Sequence, residues 1–479
     1  MASQTVLAVD LGAESGRVMA VHFADGGLRL EELHRFPNNP VTVRGTLYWD
    51  ILRLWREVQA GIAKGTSFQP ASLGVDAWGV DFVLLDAQGD LLGNPVHYRD
   101  PRTAGMLERA FARVPKENIF AQTGIQFISI NTLYQLLSLV ARQSPQLAMA
   151  RTFLTIPDLF HHWLSGSRAC EFTIATTTQL FDPRAGTWAS ELLRALEVPC
   201  SIFPPIVQPG TRLGTYEGMP VIAPACHDTA SAVAAVPART PRFAYISSGT
   251  WSLVGLEVSE PLINVAALAA NVTNEGGVAG TYRLLKNVTG LWILQQCRAI
   301  WASQGHAYTY ADLVSLAQAA PPLRSFVNPD DARFLSPGDH PQWIQAWCAE
   351  HGQPVPETHG AIVRCVLDSL ALTYRAVLET LHGLVGYTSN VVHIVGGGAR
   401  NDLLCQLTAN ATALPVVAGP VEATVLGNAL VQLIALRALG NMAEARQRVA
   451  SMGGQQAYEP QDRSRWEEAY QRFREVVRQ

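Results

Sequence analysis

Apolar runs of strand length, separated by glycine-rich and polar turns, mark the beginning of the chain. An apolar run at 5–9 is followed by a turn rich in glycine and hydroxyl groups, and then by a second apolar run at 18–23. A third run, at 28–36, follows another short polar turn. Because these connections are too short to hold a helix, the pattern predicts a β-hairpin extended by a third strand.

The same arrangement of apolar and polar positions returns in the second half. Residues 243–246 form an apolar run, 247–250 a turn of small residues, and 251–256 a second apolar run. A strand, a glycine-bearing turn and a returning strand in each half indicate a duplicated fold. We therefore expect an α/β protein of two related domains, residues 1–238 and 239–479, since 479 residues are too many for one ordinary core.

Helical periodicity follows the strands in both halves. Apolar positions spaced by three and four residues predict a helix at 51–64, with Asp50 as its N-cap, and a long core helix at 361–385. A further helix is predicted at 424–439, after a buried strand at 391–395.

An acidic residue lies where a predicted strand gives way to a helix, just before the middle of the chain. The apolar run 220–225 precedes His227-Asp228-Thr229-Ala230-Ser231, and small residues at 230–236 predict a helix. A carboxylate at such a junction is held beside the core, where it can accept a proton from a bound hydroxyl group. The alternative is that Asp228 serves only as a helix N-cap.

Three glycine-bearing turns each follow a predicted strand, at 12–16, 248–250 and 396–398. Backbone N–H groups in such turns form concave anion sites, and the absent side chains let phosphate oxygens approach. The residue order of a P-loop is absent at 61–66, and the turn at 396–401 lacks the third glycine of a dinucleotide fingerprint. The pattern therefore favours a nucleotide bound between two halves.

The net charge and the cysteine pattern indicate which partners and which cellular compartment to expect. A net charge of -4 argues against nucleic acid or an anionic membrane as the main partner. The seven cysteines are scattered without a metal or redox motif, which is typical of reduced cytosolic thiols; a disulfide between Cys348 and Cys365 is the minor alternative. Because no secretory signal pattern or apolar run of roughly 18 residues is visible, we expect a cytoplasmic protein.

Several short segments along the chain match the motifs of one enzyme family. They are Asp10-Leu11-Gly12-Ala13-Glu14-Ser15-Gly16-Arg17, Trp78-Gly79-Val80-Asp81-Phe82-Val83, Asn131-Thr132-Leu133-Tyr134-Gln135, Ala175-Thr176-Thr177-Thr178-Gln179-Leu180, His227-Asp228-Thr229-Ala230-Ser231, Ser247-Ser248-Gly249-Thr250-Trp251-Ser252, Asn274-Glu275-Gly276-Gly277, Leu285-Lys286-Asn287, residues 393–401 and Ala418-Gly419-Pro420-Val421-Glu422-Ala423. With these segments the chain resembles the FGGY family of carbohydrate kinases, within the actin-like ATPase superfamily. The resemblance extends from about residue 5 to residue 475, and glycine turns alone would fit any actin-like ATPase.

This resemblance implies two actin-like (ribonuclease H-like) α/β domains around a central cleft, with the sugar in the N-terminal domain and ATP in the C-terminal domain. It implies ATP- and Mg²⁺-dependent phosphorylation of L-rhamnulose to L-rhamnulose 1-phosphate, with another ketose or polyol as the alternative substrate. The implied partners are a small sugar and ATP, without nucleic acid or membrane, and the expected state is a monomer or small homo-oligomer.

The resemblance also implies roles for individual residues. Asp228 is the expected base, and Asp10 the residue that holds Mg²⁺ through water. The positions matching sugar contacts are Gly79, His227, Asp228, Thr229 and Asn287. The positions matching nucleotide contacts are Ala13, Glu14, Ser15, Gly16, Arg17, Thr250, Gln295 and Gly397.

Some alternatives stay open at this point. Glu14 occupies a position where the family commonly has serine, and it either faces solvent or assists the metal. Trp78, Tyr134 and Trp251 are candidates for an aromatic wall beside a sugar, although core packing is the more common role of such residues. A different actin-like ATPase, or a non-catalytic sugar-binding protein, shares the glycine turns.

Overall fold

The computed structural model describes residues 3–478, and the chain divides into two compact units. Unit 1 holds the residues up to Arg239 together with 257–284 and 423–453. Unit 2 holds 240–256, 285–422 and the residues from 454 onward. Each unit therefore contains several separate segments of the chain.

Strands and helices alternate through both units, which confirms the predicted α/β class. The strands are β1 (Gln4–Leu11), β2 (Ser15–Ala24), β3 (Gly27–Pro37), β4 (Val41–Val43), β5 (Thr46–Tyr48), β6 (Ser72–Ala77), β7 (Phe82–Leu85), β8 (Thr152–Thr155), β9 (Cys170–Glu171), β10 (Phe181–Asp182), β11 (Thr187–Trp188), β12 (Ile206–Val207), β13 (Arg212–Tyr216), β14 (Met219–Ile222), β15 (Phe243–Ser248), β16 (Trp251–Val258), β17 (Thr273–Gly276), β18 (Tyr282–Thr289), β19 (Val391–Val395), β20 (Val416–Ala418) and β21 (Gln456–Tyr458).

The α-helices range from short connecting turns to one long core helix. They are α1 (Ile51–Gly65), α2 (Met106–Arg113), α3 (Lys116–Thr123), α4 (Thr132–Ala141), α5 (Pro145–Met149), α6 (Ile156–Ser165), α7 (Phe172–Thr176), α8 (Ser190–Ala195), α9 (Asp228–Ala234), α10 (Val265–Ala270), α11 (Trp292–Ser303), α12 (Tyr310–Ala319), α13 (His340–Glu350), α14 (His359–Val385), α15 (Asp402–Thr412), α16 (Ala423–Ala435), α17 (Met442–Ser451) and α18 (Arg463–Arg478).

The main sheet of unit 1 has six strands in the order β13-β14-β6-β1-β2-β3. β1 and β2 form the predicted antiparallel hairpin, and β1 pairs in parallel with β6 so that Asp10 lies opposite Asp76. Every residue of β1 from Val6 onward is buried, which explains its nearly continuous apolar run. The carboxyl ends of β1 and β6 consequently lie side by side, next to the motifs that begin at Asp10 and Trp78.

Helix α16 belongs to unit 1 although it lies far along the chain. It packs against α9, β1 and β6, and the side-chain amide of Gln432 donates to the Leu7 carbonyl oxygen at 3.0 Å. A Cβ atom at Gly427 would lie 1.7 Å from the Ser231 carbonyl oxygen. The glycine is therefore what allows α16 to approach α9 so closely.

The central part of the sheet of unit 2 is parallel. β15 pairs in parallel with β19, and β19 pairs in parallel with β20. β15 also forms an antiparallel hairpin with β16, as the repeated strand–turn–strand pattern predicted. The long helix α14 packs against α12 and α15 and buries most of its first five turns.

Most predicted elements are confirmed, with small differences at their ends. Asp50 is the N-cap of α1, and its side chain accepts from the backbone N–H of Arg53 at 3.3 Å. Helix α16 ends four residues before the predicted 439, because Arg437 takes a left-handed backbone conformation with φ of 60°.

The structure also bears on the predicted state of the cysteines and on membrane insertion. All seven cysteines are free thiols, so the disulfide between Cys348 and Cys365 is not formed. The two thiols are nevertheless neighbours on α13 and α14, and their hydrogen bond is the main cause of a raised Cys365 pKa. Among the described residues, no helix combines the length and the apolar character needed to span a bilayer.

Candidate active site

The candidate base lies at the start of α9 in unit 1. Asp228 is the first residue of the helix, and His227 occupies the N-cap position. The alternative that Asp228 is only an N-cap is therefore wrong. The Asp228 side chain keeps 29% of its exposure, and one of its oxygens accepts from the Thr229 hydroxyl at 3.1 Å. Burial, followed by the nearby charge of Asp10, raises the Asp228 pKa.

The segment that carries His227 and Asp228 is anchored by two buried polar residues. The Thr173 hydroxyl accepts from the backbone N–H of His227 at 3.1 Å. That hydroxyl donates in turn to Glu171, whose same oxygen accepts from the backbone N–H of Cys226 at 3.1 Å. Both side chains are completely buried. Neither Glu171 nor Thr173 was predicted from the sequence, although an acidic residue inside an apolar segment is a recognisable signal of a buried polar network.

The imidazole of His227 contacts an ionic pair on one side and Asp228 on the other. Arg283 Nη2 donates to His227 Nδ1 at 2.9 Å. Glu275 Oε2 lies 3.1 Å from the same arginine nitrogen and 3.3 Å from His227 Nδ1. On the opposite edge of the ring, His227 Nε2 lies 3.4 Å from Asp228 Oδ1. Glu275 belongs to a segment that carried the family resemblance, but neither it nor Arg283 was assigned a role.

Gly79 faces the same space as His227. A Cβ atom at Gly79 would lie 3.2 Å from Thr177 Oγ1 and 3.3 Å from His227 Nε2. The Ala77 backbone also forms a bridge with His227, so the end of β6 and the segment of His227 and Asp228 are adjacent. Any side chain larger than hydrogen at position 79 would fill this space.

The turn that follows Gly79 is held by the two polar motifs of the middle segment. Val80 has a φ of 68°, which is strained for a β-branched residue. Its backbone N–H donates to the Thr177 hydroxyl at 3.3 Å, and its carbonyl oxygen accepts from the Thr132 hydroxyl at 2.6 Å. Gln135 donates to the same carbonyl oxygen at 3.2 Å. The polar motifs at 131–135 and 175–180 therefore fix the shape of this turn.

Asp81 and two of the candidate wall aromatics have structural roles. The Asp81 carboxyl accepts from the indole N–H groups of Trp49 at 2.6 Å and Trp78 at 3.0 Å. Trp78 and Tyr134 are both buried in the core, which agrees with the packing alternative, whereas Trp251 is partly exposed.

Two further carboxyl groups lie at the carboxyl ends of β1 and β6. Asp10 accepts two hydrogen bonds from Arg17, at 2.8 Å from Nε and 2.6 Å from Nη2. Asp76 is fully buried and accepts from the Asn428 side-chain amide at 2.6 Å through Oδ2. Its other oxygen, Oδ1, has no hydrogen-bond partner among residues 3–478. Burial, followed by the charges of Asp10 and Asp228, holds the Asp76 pKa well above its usual range.

The first glycine turn closes tightly. The Gly12 N–H donates to the Ser15 carbonyl oxygen at 3.0 Å, and the Glu14 carbonyl oxygen accepts from the backbone N–H of Asn38 at 2.8 Å. Glu14 itself is exposed, and Ala13 and Ser15 are partly exposed. A Cβ atom at Gly16 would meet the Phe36 ring at 2.3 Å, so the glycine at this position serves packing.

The predicted nucleotide residues of unit 2 gather at one end of its sheet. The Gln295 side-chain amide donates to the Thr250 hydroxyl at 3.3 Å. Gly396, which follows β19, has a φ of 81°, and a Cβ atom there would lie 3.1 Å from the Ser248 carbonyl oxygen at the end of β15. A Cβ atom at Gly397 would meet no atom within 4 Å. Asn287 is partly buried on β18 in the same unit.

Of the described residues, one trio of potential metal ligands converges within 4.8 Å: Asp158, His161 and Cys226. His161 Nε2 accepts from the backbone N–H of Val75 at 3.0 Å, so a neutral His161 carries its proton on Nδ1. Nδ1 lies 3.9 Å from Cys226 Sγ and has no lone pair to offer a metal. This trio is a buried hydrogen-bonded group of the core.

The chain matches family models along most of its length. The N-terminal domain of the FGGY family of carbohydrate kinases matches residues 5–225, and the C-terminal domain of that family matches residues 244–436. The rhamnulokinase of Bacteroides thetaiotaomicron is 45% identical over 489 residues, covering 99% of this chain and 100% of that protein. The rhamnulokinase of Pectobacterium carotovorum is 44% identical over 482 residues, covering 99% and 96%.

Solved structures of sugar kinases share the fold at much lower identity. Ligand-bound xylulose kinase from Lactobacillus acidophilus superposes with a TM-score of 0.77 at 16% identity, covering 99% of this chain and 98% of that one. Gluconate kinase from the same organism gives a TM-score of 0.79 at 16% identity, covering 100% and 98%. At this identity the likeness extends to the two-domain α/β architecture and not to the substrate.

Proposed function

Because the chain belongs to the FGGY family of carbohydrate kinases, we propose that it transfers the γ-phosphoryl group of ATP to L-rhamnulose, giving L-rhamnulose 1-phosphate and ADP. The observation that carries this proposal is the identity of 42–45% to rhamnulokinases of several species, over 92% or more of both chains. The alternative of another ketose or polyol is not favoured, because these relatives share one activity.

Asp228 is proposed as the general base. The O1 hydroxyl of the ketose loses its proton to the Asp228 carboxylate as the bond from O1 to the γ-phosphorus forms. The bond between the γ-phosphorus and its bridging oxygen breaks, and ADP leaves. A carboxylate whose pKa is raised by burial is a stronger base than one in water, and partial exposure leaves it accessible to substrate.

The sugar is assigned mainly to unit 1. His227 and Thr229 directly precede and follow Asp228 in the chain, and Gly79 leaves space beside the His227 imidazole. Asn287 is proposed as a further sugar contact. A polyol needs several polar groups on rigid supports, because an unpaired buried polar group is costly, and the bonds from Thr173 and Thr177 supply that rigidity.

ATP is assigned mainly to unit 2, through Thr250, Gln295 and Gly397. The open space beside Gly397 fits this role, since phosphate oxygens can approach a backbone that carries no side chain. The hairpin turn of unit 1 is proposed to contribute the remaining nucleotide contacts: Ala13, Glu14, Ser15, Gly16 and Arg17. The proposed sugar-binding domain at residues 1–238 and ATP-binding domain at 239–479 therefore differ from the two units at 257–284 and 423–453, which belong to unit 1.

The carboxyl groups of unit 1 fit a magnesium ion bound through water. Mg²⁺ retains several water ligands and takes one or two carboxylates. Asp10 is already paired with Arg17, and Asp76 has a buried oxygen without a described partner, so acceptor capacity is present at this end of the sheet. Asp10 is the residue proposed to hold the ion. When bound, the ion neutralises charge on the phosphates of ATP.

The proposal also includes a cytoplasmic location and a monomeric or small homo-oligomeric state. Its partners are a sugar and ATP, and not nucleic acid or membrane. Seven free thiols support a reducing compartment. The net charge of -4 gives no electrostatic basis for binding nucleic acid.

A coupled assay of ADP release across a panel of ketoses and polyols tests the substrate. We expect kcat/KM for L-rhamnulose to exceed that for D-xylulose, D-fructose or glycerol by about 100-fold or more, because unpaired polar groups reject the wrong sugar. Phosphorus NMR of the product reports the position of the ester. A preference for another acceptor, or ADP release that is independent of sugar, would disprove the proposal.

The Asp228→Asn variant tests the base. We expect kcat to fall by about 10²- to 10⁴-fold with little change in the KM for ATP, since an amide cannot accept the proton. Asp312→Asn is the matched control, because Asp312 is an exposed aspartate in the first turn of α12. A folded Asp228→Asn enzyme with a turnover close to that of the control would remove Asp228 from the mechanism.

A further inference from the structure

Arg283 and Glu275 form a buried ionic pair against the imidazole of His227. Arg283 has no exposed surface and Glu275 only 4%. The arginine is also held to the backbone next to Glu275, because Arg283 Nε donates to the Gly276 carbonyl oxygen at 2.9 Å. The Gly276 N–H donates in turn to the Thr176 hydroxyl at 2.8 Å. The guanidinium group therefore cannot move away from His227 without breaking this backbone bond.

This contact determines which nitrogen of His227 carries the proton. A guanidinium group has only donors, so His227 Nδ1, at 2.9 Å from Arg283 Nη2, must accept. A ring nitrogen that accepts has no proton, and the proton of the neutral imidazole therefore lies on Nε2. Glu275, at 3.1 Å from the same arginine nitrogen, balances the guanidinium charge.

The protonated nitrogen points toward the reacting groups. His227 Nε2 lies 3.4 Å from Asp228 Oδ1, and 3.3 Å from the position that a Cβ of Gly79 would occupy. An N–H group at this place can donate to a sugar oxygen that lies next to Gly79. It can also donate to the carboxylate of Asp228 before substrate binds.

We propose that Arg283 and Glu275 are positioning residues that hold His227 as the neutral tautomer protonated on Nε2, so that it donates a hydrogen bond to an oxygen of the bound ketose. The assignment of the ketose rests on the proposed function, whereas the tautomer does not. The pair acts through His227 and does not touch the reacting atoms.

The burial of this arginine favours positioning over stabilisation as its role. Arg283 Nη1 is buried without a hydrogen-bond partner among the described residues. A buried ion pair is weak evidence for stability in general, because desolvation offsets the attraction between the charges. Arg283 is fully buried and incompletely paired, and its Nη2 contacts the His227 imidazole. Its effect on that imidazole therefore explains why it is kept there.

Nitrogen NMR of the histidine rings tests the tautomer without any assay. In the enzyme labelled with ¹⁵N-histidine, the resonances of residue 227 are those lost in the His227→Gln variant. We expect an unprotonated Nδ1 and a protonated Nε2 near neutral pH. A proton on Nδ1, or on both nitrogens, overturns the proposal whether or not the enzyme acts on L-rhamnulose.

Kinetics of Arg283→Lys test the effect on the sugar. We expect KM for L-rhamnulose to rise by about 10-fold, which is the effect of one lost hydrogen bond, while KM for ATP stays within about twofold. Arg364→Lys is the matched control, since Arg364 forms a buried ion pair with Asp368 in α14 of unit 2. If Arg283→Lys does not fold, Glu275→Gln takes its place, with the same direction expected.

A double-variant cycle separates positioning from a structural role. Glutamine at 227 has no tautomers, so Arg283→Lys should change the ketose KM by less than about twofold in the His227→Gln background. An equal effect of Arg283→Lys in both backgrounds would show that Arg283 acts on the fold and not through His227. If the wild-type enzyme rejects L-rhamnulose, the proposed substrate fails and the cycle is measured with the ketose that it accepts.

Discussion

At the scale of single residues, the candidate site depends on acidic groups that are buried to different degrees. Asp228 keeps part of its surface, and Asp76 and Asp158 have almost none. Burial raises the pKa of all three carboxyl groups. Of the three, only Asp228 has the exposure that its proposed exchange of a proton with substrate requires.

Asp158 offers a direct test of this electrostatic environment. Burial is the main cause of a rise in its pKa to about 7, although Thr155 and the Glu171 N–H both donate to it. The Asp158 carboxyl has a lower pKa in the unfolded chain than in the native state. Between these two pKa values, the native state therefore binds a proton that the unfolded chain does not bind. This contribution to stability is complete below about pH 4, and it is lost as the pH rises toward 7.

We therefore predict that Asp158→Asn removes part of the pH dependence of unfolding. Between pH 5 and pH 8 the wild type should lose about 2–3 kcal/mol more stability than the variant, because a native pKa of about 7 leaves about two pH units of differential proton binding in that range. Urea unfolding at several pH values measures the difference. Parallel pH profiles for the two proteins would show that Asp158 is ionised in the native state at neutral pH.

At the scale of elements, the position of Asp228, the proposed base, depends on the packing of α9 against α16. The two helices meet at Gly427 and Ser231, where the Ser231 carbonyl oxygen occupies the place of a side chain. Asn428, the next residue of α16, donates to Asp76 at 2.6 Å. A single helix face thus positions the helix of Asp228 and one of the carboxyl groups near it.

We predict that Gly427→Ala destabilises unit 1. A methyl group 1.7 Å from a carbonyl oxygen forces the helices apart, and overpacking of this kind costs about 1–3 kcal/mol or more. Because α9 carries Asp228, kcat should fall together with the melting temperature. Thermal melting and the coupled assay measure both.

Gly383→Ala is the matched control for that variant. Gly383 is exposed in α14, and its Cβ would meet no atom within 4 Å. Alanine should raise stability here by about 0.5–1 kcal/mol through helix propensity, with activity unchanged. A neutral effect at 427 would contradict the close packing described for α9 and α16, whereas a destabilising effect at 383 would contradict the open space described at Gly383.

At the scale of the whole molecule, neither unit is a continuous piece of chain. Unit 1 needs residues 423–453 in addition to those up to Arg239. Helix α16 supplies Gln432, which bonds both the Leu7 carbonyl oxygen and the Ser72 hydroxyl. Without this helix, one face of β1 and β6 loses both its apolar cover and these hydrogen bonds.

We predict that a fragment of residues 1–239 does not fold cooperatively by itself. The exposed face of its sheet should bind a hydrophobic dye, and its urea transition should be broad. Co-expression with residues 423–453 should restore part of the cooperativity. A sharp transition for the 1–239 fragment alone would show that α16 is dispensable for unit 1.

Local sequence determined much of the architecture. The apolar runs of β1, β2, β15 and β19 and the periodicity of α14 follow directly from residue pattern, because strand and helix bury side chains at fixed spacings. Asp50 as a helix cap and the seven free cysteines were equally predictable. The family resemblance, now shown by full-length relatives, was carried by short polar motifs at the ends of these elements.

Only the tertiary structure decided which distant residues share an environment. Arg283 and Glu275 reach His227 from strands about 50 residues later, Glu171 anchors the segment of Asp228 from strand β9, and α16 joins unit 1 from near the end of the chain. No local pattern encodes such contacts, since they depend on how elements pack after the chain has folded. The burial that raises the pKa of Asp228 and Asp158 arises in the same way.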